Sequence, residues 1–227
     1  MARKVKFSKE TQKYYERRER TRSKNTHNKR VYYLIVCEGE ATEPNYFDSL
    51  KQDLPVGVLT THQIEIEGKG RNTQSLLDKA LQLKSLSEMT TTRKVDRLWV
   101  VFDKDSFSAK DFNGAIQRCH NAGVGCASSN EAFELWYLLH FQYYENAMAR
   151  SVYKKMIEDQ LKPFLGKNYR YEKNSRHMYR LLKQYGSSEN AIRNAKRLTE
   201  LFRDRQDFAN HNPCTMVWTL VDELQQL

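Results

Sequence analysis

The chain has 227 residues, 39% of them hydrophobic, enough for one ordinary domain with an appended subdomain. Its longest apolar runs, 31–37 and 98–102, fall well short of the roughly 20 apolar residues that cross a bilayer, and residues 1–30 are charged throughout, unlike a secretory leader, so a cytoplasmic protein with no membrane partner is expected. Net charge is +10, distributed as +9 over residues 1–30, −5 over 31–149, +9 over 150–205 and −3 over the last 22. An acidic centre between two basic segments suits a protein that holds a polyanion beside a carboxylate-bound metal, because Lys and Arg supply phosphate affinity and carboxylates supply ion affinity. A merely solvated basic surface would give the same sum. Cys37, Cys119, Cys126 and Cys214 are scattered with no CxxC pair, which argues against a zinc knuckle or a disulfide framework and for reduced core thiols.

In chain order, residues 1–30 contain almost no aliphatic side chains and cannot bury a core of their own, so a basic, flexible or partly helical arm is expected there. VYYLIVC (31–37) is a continuous β-branched and aromatic run, as in a parallel strand covered on both faces. It ends in Glu38-Gly39-Glu40, after which Ala41 or Thr42 opens a helix with Pro44 in its first turn. His62–Glu67 alternates as a second strand, and Asn72 or Thr73 can cap a helix whose apolar stripe is Leu76, Leu77, Ala80, Leu81 and Leu83. RLWVVF (97–102) is a third buried strand, ended by Asp103-Lys104-Asp105. A helix over 110–121, a strand over 124–127 and an apolar helix over 131–141 follow. Strand and helix thus alternate up to residue 149, which predicts an α/β domain with a parallel sheet flanked by helices. From 150 to 227 only helical periodicities remain, at 152–161, 178–185, 192–202 and 217–224, with Ser187 or Ser188 and Asn212 as caps, so the expected organisation is an arm, an α/β domain and an all-helical extension.

In parallel sheets, ligands collect beyond the carboxyl ends of the strands. Glu38 ends the first strand; Asp103 and Asp105 end the third, and alternate residues leaving a strand project to one side. If those strands are neighbours the three acids converge, and a divalent cation would relieve their repulsion. Mg²⁺, or Mn²⁺ in its place, suits such hard oxygen ligands, and substrate phosphate can complete its shell. Asp-x-Asp alone reads more readily as a turn or cap; Glu-Gly at the end of an earlier strand makes the pair more specific. Gly39 fits a tight strand-to-helix turn that needs positive φ.

This combination resembles the Toprim domain of topoisomerases, primases and OLD-type nucleases. More closely, LIVCEGEATEPNYFDSL, VVFDKD, SSNEAFELWYLLHF and NPCTMVWTLVDEL resemble the RloB family of small bacterial proteins associated with restriction and abortive-infection loci, over roughly residues 31–225. The resemblance implies a Toprim-like core and a part in phage defence, often beside a separate ATPase. It also implies that Glu38, Asp103 and Asp105 bind metal, with Glu38 the general base or acid. One departure from the pattern is that Ser106-Phe107, and no close glycine, follows Asp105.

Other positions carry two readings. Glu40 and Glu43 read first as helix N-terminal acids and second as ligands. Glu131 reads as a cap, and Glu134, between Phe133 and Trp136 after the fourth strand, as a further metal ligand. The loop of Gly68 to Arg71 offers Lys69 and Arg71 to a phosphate, or is a plain turn. Arg170, Arg176 and Arg180, interleaved with Tyr169, Tyr171 and Tyr179, read as a single-strand binding stripe or as the basic face of an amphipathic helix. His140 reads as a hydrogen-bonded core residue.

Three functions compete. The first is an Mg-dependent nuclease acting on RNA, tRNA among them, or on DNA. The second is a non-catalytic nucleic-acid-binding or adaptor subunit of an ATPase-containing complex. The third, a phosphatase with Asp103 as nucleophile, leaves Glu38 unused.

Overall fold

The computed structural model describes residues 31–39, 41–64, 74–91, 93–104 and 107–227. Five strands form one sheet in the order β2-β1-β3-β4-β5: β1 (Tyr33–Glu38), β2 (Leu59–Ile64), β3 (Arg97–Asp103), β4 (Gly125–Asn130) and β5 (Cys214–Thr215). The first four are parallel and β5 runs antiparallel to β4. Between and after them lie α1 (Thr42–Leu50), α2 (Gln74–Thr91), α3 (Ala109–Asn121), α4 (Glu134–Leu139), α5 (Arg150–Leu165), α6 (Met178–Tyr185), α7 (Ser188–Glu200) and α8 (Val217–Leu224). The α/β class expected from the alternating pattern is the one observed. No helix among the described residues is long and apolar enough to cross a membrane.

Each central strand buries both faces, which is why β1 and β3 read as unbroken apolar runs rather than alternating ones. On one face Leu34, Val36, Leu98, Val100 and Phe102 pack against Leu76, Leu77 and Ala80 of α2 and Phe112, Ala115 and Ile116 of α3. The opposite face is covered by aromatic α1 and α4: Tyr46 meets Phe133 edge-on at 5.5 Å and Phe133 meets Tyr137 at 5.4 Å between ring centroids. Helices α5 and α7 pack on α4, and α8 on β4. Ser108 caps α3 through Asp111 N (3.1 Å), and Ser187 caps α7 through Asn190 N (3.1 Å), as its place before that helix predicts.

Several boundaries differ from the sequence expectation. The second strand starts at Leu59 rather than His62, where the register against Tyr33 begins. The expected cap of α2, Asn72 or Thr73, lies outside the described residues, as does the arm over 1–30. The segment 150–227 is not wholly helical. Cys214-Thr215 pairs with Asn130 and Ser129, a two-residue strand too short to show any period. Asn212 precedes a cis Pro213 and does not cap α8, which starts after Met216 without a side-chain cap. Glu131 does not cap α4. That helix starts three residues later, and the Glu131 carboxylate instead accepts the N–H of Arg150, the first residue of α5, at 3.2 Å.

Gly125 opens β4 directly against the Trp99 ring, where an added Cβ would fall within the indole. Neither the strand backbone nor a ring that is 8% exposed can yield cheaply. Gly125→Ala is therefore expected to destabilise the fold by about 1–3 kcal/mol, the usual range for overpacking, measured by urea denaturation against the unaltered chain.

Candidate functional site

The strand order 2-1-3 reverses the direction of winding between β1 and β3, and a crevice opens at such a switch point beyond the carboxyl ends of the strands. Glu38 and Asp103 both sit there. β1 and β3 are direct neighbours, with Cys37 level with Val101, and Asp103 is level with Ser129 of β4. The turn that leaves β1 depends on Gly39 at φ +101°, as expected, and a Cβ on it would lie 3.6 Å from the Glu43 carboxylate.

By the alternation of the pleat, Glu38 continues the row of Leu34 and Val36, while Asp103 continues that of Trp99 and Val101. The row that Asp103 shares faces α1 and α4, and these helices bring two more acids to it. Glu43, in the first turn of α1, and Glu134, the first residue of α4, are both buried, and so is Asp103. The three act on one another electrostatically. Burial first, then the charges of Glu43 and Glu134, hold the Asp103 carboxyl well above the usual range, against a hydrogen bond from the Phe133 backbone and the positive charge of Arg150. Burial likewise pushes Glu43 up to about 7, helped by the charges of Glu134 and Glu38 and opposed by its own backbone N–H and by Lys173. Tyr153 of α5 joins the group. Its hydroxyl is raised by burial and then by the charges of Glu131, Asp103 and Glu134.

Glu134 is anchored on one side only. Its Oε1 accepts the hydroxyl of Tyr171 at 3.1 Å, while Oε2 has no hydrogen-bond partner. Asp103 Oδ1 is likewise buried and unpartnered. Buried oxygens are nearly always satisfied, so two orphans in one acidic cluster call for an explanation. Hard, anionic oxygen donors of this kind are what Mg²⁺ or Mn²⁺ takes. As they stand, no three Asp, Glu, His or Cys among the described residues are close enough to enclose one ion. Asp105, the remaining expected ligand, lies outside the described residues, as do Glu40, Lys69 and Arg71.

Tyr171 belongs to the loop between α5 and α6, which is clamped over the site by one face of α1. Thr42 Oγ1 donates to Lys173 O (3.1 Å), Asn45 Nδ2 to Asn174 O (3.0 Å) and Ser49 Oγ to Arg176 O (3.1 Å). Those donors stand three and four residues apart, on one side of the helix. The loop is anchored further by Glu158 of α5, whose Oε1 accepts Tyr171 N at 3.1 Å. The basic stripe is therefore mostly loop rather than helix. Arg170, Arg176 and Arg180 are exposed along it, Arg170 bonding Tyr169 O at 2.9 Å and Arg180 the His177 ring. Its aromatics are not free stacking platforms: Tyr171 is buried at the acids, and Tyr179 donates to Asp53 at 2.6 Å.

A family model described as RloB-like protein matches residues 33–224. The chain belongs to the RloB-like family. No curated protein and no solved structure matches it. In this RloB-like chain the sequence points to Glu38, Asp103 and Glu134 but undervalues Glu43, whose place in a first helical turn reads as a dipole effect. The signal lies in the expected positive-φ turn at Gly39, which brings the Glu43 carboxylate close to the end of the strand it follows. The sequence marks Tyr171 only as an aromatic of the basic stripe and not as part of the acidic site, because its partner Glu134 is 37 residues away.

Proposed function

We propose that this chain is a divalent-metal-dependent nuclease of Toprim type, acting on RNA, tRNA among its candidates, or on DNA in bacterial anti-phage defence. The observation that carries this reading is the pair of unpartnered buried oxygens, Asp103 Oδ1 and Glu134 Oε2, in a cluster of mutually repelling acids at the topological switch point. Asp103, Glu134 and Asp105 would hold Mg²⁺ or Mn²⁺, which supplies polarisation of a phosphate and neutralisation of charge on the leaving oxygen. Glu43 lies beside Asp103 and Glu134, whereas Glu38 ends the neighbouring strand on the opposite pleat row and acts on Glu43. Glu43, beside the proposed ion, and Glu38 are the acids available for the general acid or base role. The exposed Arg170, Arg176 and Arg180 lie on or beside the loop clamped over these acids and lead a polyanion toward them.

Converting Asp103 and Asp105 together to Ala is expected to abolish Mg²⁺-dependent cleavage of tRNA, single-stranded RNA and DNA, a loss of at least about a thousandfold, with circular dichroism unchanged. Undiminished cleavage by the purified double variant would refute the nuclease. A binding-only subunit working with a separate ATPase is the second reading. It is favoured by the spacing of the described acids, which do not enclose an ion as they stand. It predicts nucleic-acid binding that is steeply salt-dependent and indifferent both to Mg²⁺ and to loss of the acids.

A further inference from the structure

On the far side of the sheet from the aromatic helices, between α3, β4 and the segment that follows α7, lies a cavity of about 150 Å³. It shares no lining residue with the acidic site. Its walls are largely aromatic and apolar, among them Phe112, Ile116, Phe202 and Phe208. Phe202 stacks on His211 at 4.7 Å with the planes 8° apart, which makes one wall flat. A largely apolar, partly enclosed space with few polar groups is the usual form of a small-molecule site.

His120, Ser128, Thr199 and His211 also line the cavity, and two further polar features give it a chemistry. Asn130, which ends β4 and lines the cavity, is 3% exposed. Its Nδ2 donates to Ala209 O at 2.9 Å, and Ala209 is held from the other side by Asn113, whose Oδ1 accepts Ala209 N at 2.7 Å. The amide cannot turn over without breaking that bond, so Oδ1 is an acceptor, and it is buried without a partner. Such an oxygen calls for a group that brings an N–H or O–H. Arg203 and Arg205 also line the cavity. Arg205 is held by Asp207 at 2.7 Å, whereas Arg203, 75% exposed, makes only a 3.7 Å approach to Glu200 and can close on an anion.

We propose that this cavity binds a monocyclic nucleobase, its ring held between the aromatic walls, its N–H given to Asn130 Oδ1 and its 5′-phosphate met by Arg203. Size selects the ring, since an apolar cavity of about 150 Å³ takes up a single benzene ring. Aromatic walls with one edge-directed hydrogen bond are how proteins hold an unstacked base. The ligand is a pyrimidine nucleotide, free or as a unit of a strand, and the inference does not depend on the nuclease reading.

The test is calorimetric titration of the full chain with CMP, UMP, AMP, cytidine, ribose 5-phosphate and a short oligocytidylate. CMP or UMP should bind at least tenfold more tightly than AMP or ribose 5-phosphate. A free nucleotide ligand predicts CMP over the oligomer, a strand the reverse. Asn130→Ala should weaken CMP binding tenfold or more. Because that variant also loses the Ala209 contact, the exposed Arg203→Ala serves as the second: it should weaken CMP and leave cytidine unchanged. The proposal is overturned if no pyrimidine binds more tightly than ribose 5-phosphate, as when water alone fills the cavity, or if Arg203→Ala binds CMP as the unaltered chain does.

Discussion

Replacing Asp103 by Asn is expected to raise the stability of the metal-free protein by roughly 1–3 kcal/mol and, if the site holds a metal as proposed, to abolish the rise in Tm that Mg²⁺ would then give the unaltered chain. The side chain keeps its shape and can still accept the Phe133 N–H, but the charge that Glu43 and Glu134 oppose is gone. A destabilising acid kept at the end of a buried strand is the cost expected of the proposed cation site. The same repulsion sets a pH dependence. Glu43 holds its proton up to about 7 in the fold, against an ordinary value of 4.5. Between those values the folded state binds more protons than the unfolded one, so metal-free stability falls as pH rises through this window. Differential scanning calorimetry in EDTA and in Mg²⁺ reads both effects. If the Asp103→Asn protein were less stable than its parent and Mg²⁺ moved neither, the acids would be structural.

What the sequence makes legible here follows from how local each signal is. The covered strands 33–38 and 97–103 announce themselves because a parallel strand buried on both faces must be apolar throughout. Glu38 and Asp103 are then found by rule, since each ends such a strand. The boundaries of α6 and α8, Met178–Tyr185 and Val217–Leu224, coincide with the expected ones because both helices keep one apolar stripe throughout. What stays hidden is whatever depends on pairing between distant residues. Cys214-Thr215 becomes a strand only because Asn130 and Ser129 offer it partners, and Glu131 caps a helix 19 residues on instead of its own. The clamp of α1 on the 173–176 loop is invisible for the same reason: Thr42, Asn45 and Ser49 read as polar helix positions until the carbonyls they meet are known. Glu43 and Tyr171 complete the acidic site through contacts of this distant kind.

Acidification should act on the fold through His140. The ring is buried, its Nδ1 lies 2.9 Å from Trp136 O, and the Trp136 indole meets it edge-on at 4.9 Å. Gly186 leaves it no room on another side, since a Cβ there would come within 2.8 Å of the His140 Cβ. Burial lowers the imidazole from an ordinary 6.5 to about 4, only partly offset by the Trp136 carbonyl. The unfolded chain therefore takes up a proton at this residue where the folded chain does not. Its contribution is intact above 6.5 and is lost as pH falls toward 4, a total of roughly 3 kcal/mol. That slope opposes the one from Glu43, while His211, also lowered by burial, adds to it. Comparison with His140→Gln, which keeps a donor for the Trp136 carbonyl and cannot charge, isolates the residue. The difference in unfolding free energy between the two proteins should shift by about 3 kcal/mol in favour of the variant between pH 7 and pH 4. A difference that stays constant across that range would mean that the folded protein accepts the proton as readily as the unfolded chain, and that the α4 end opens to water around His140.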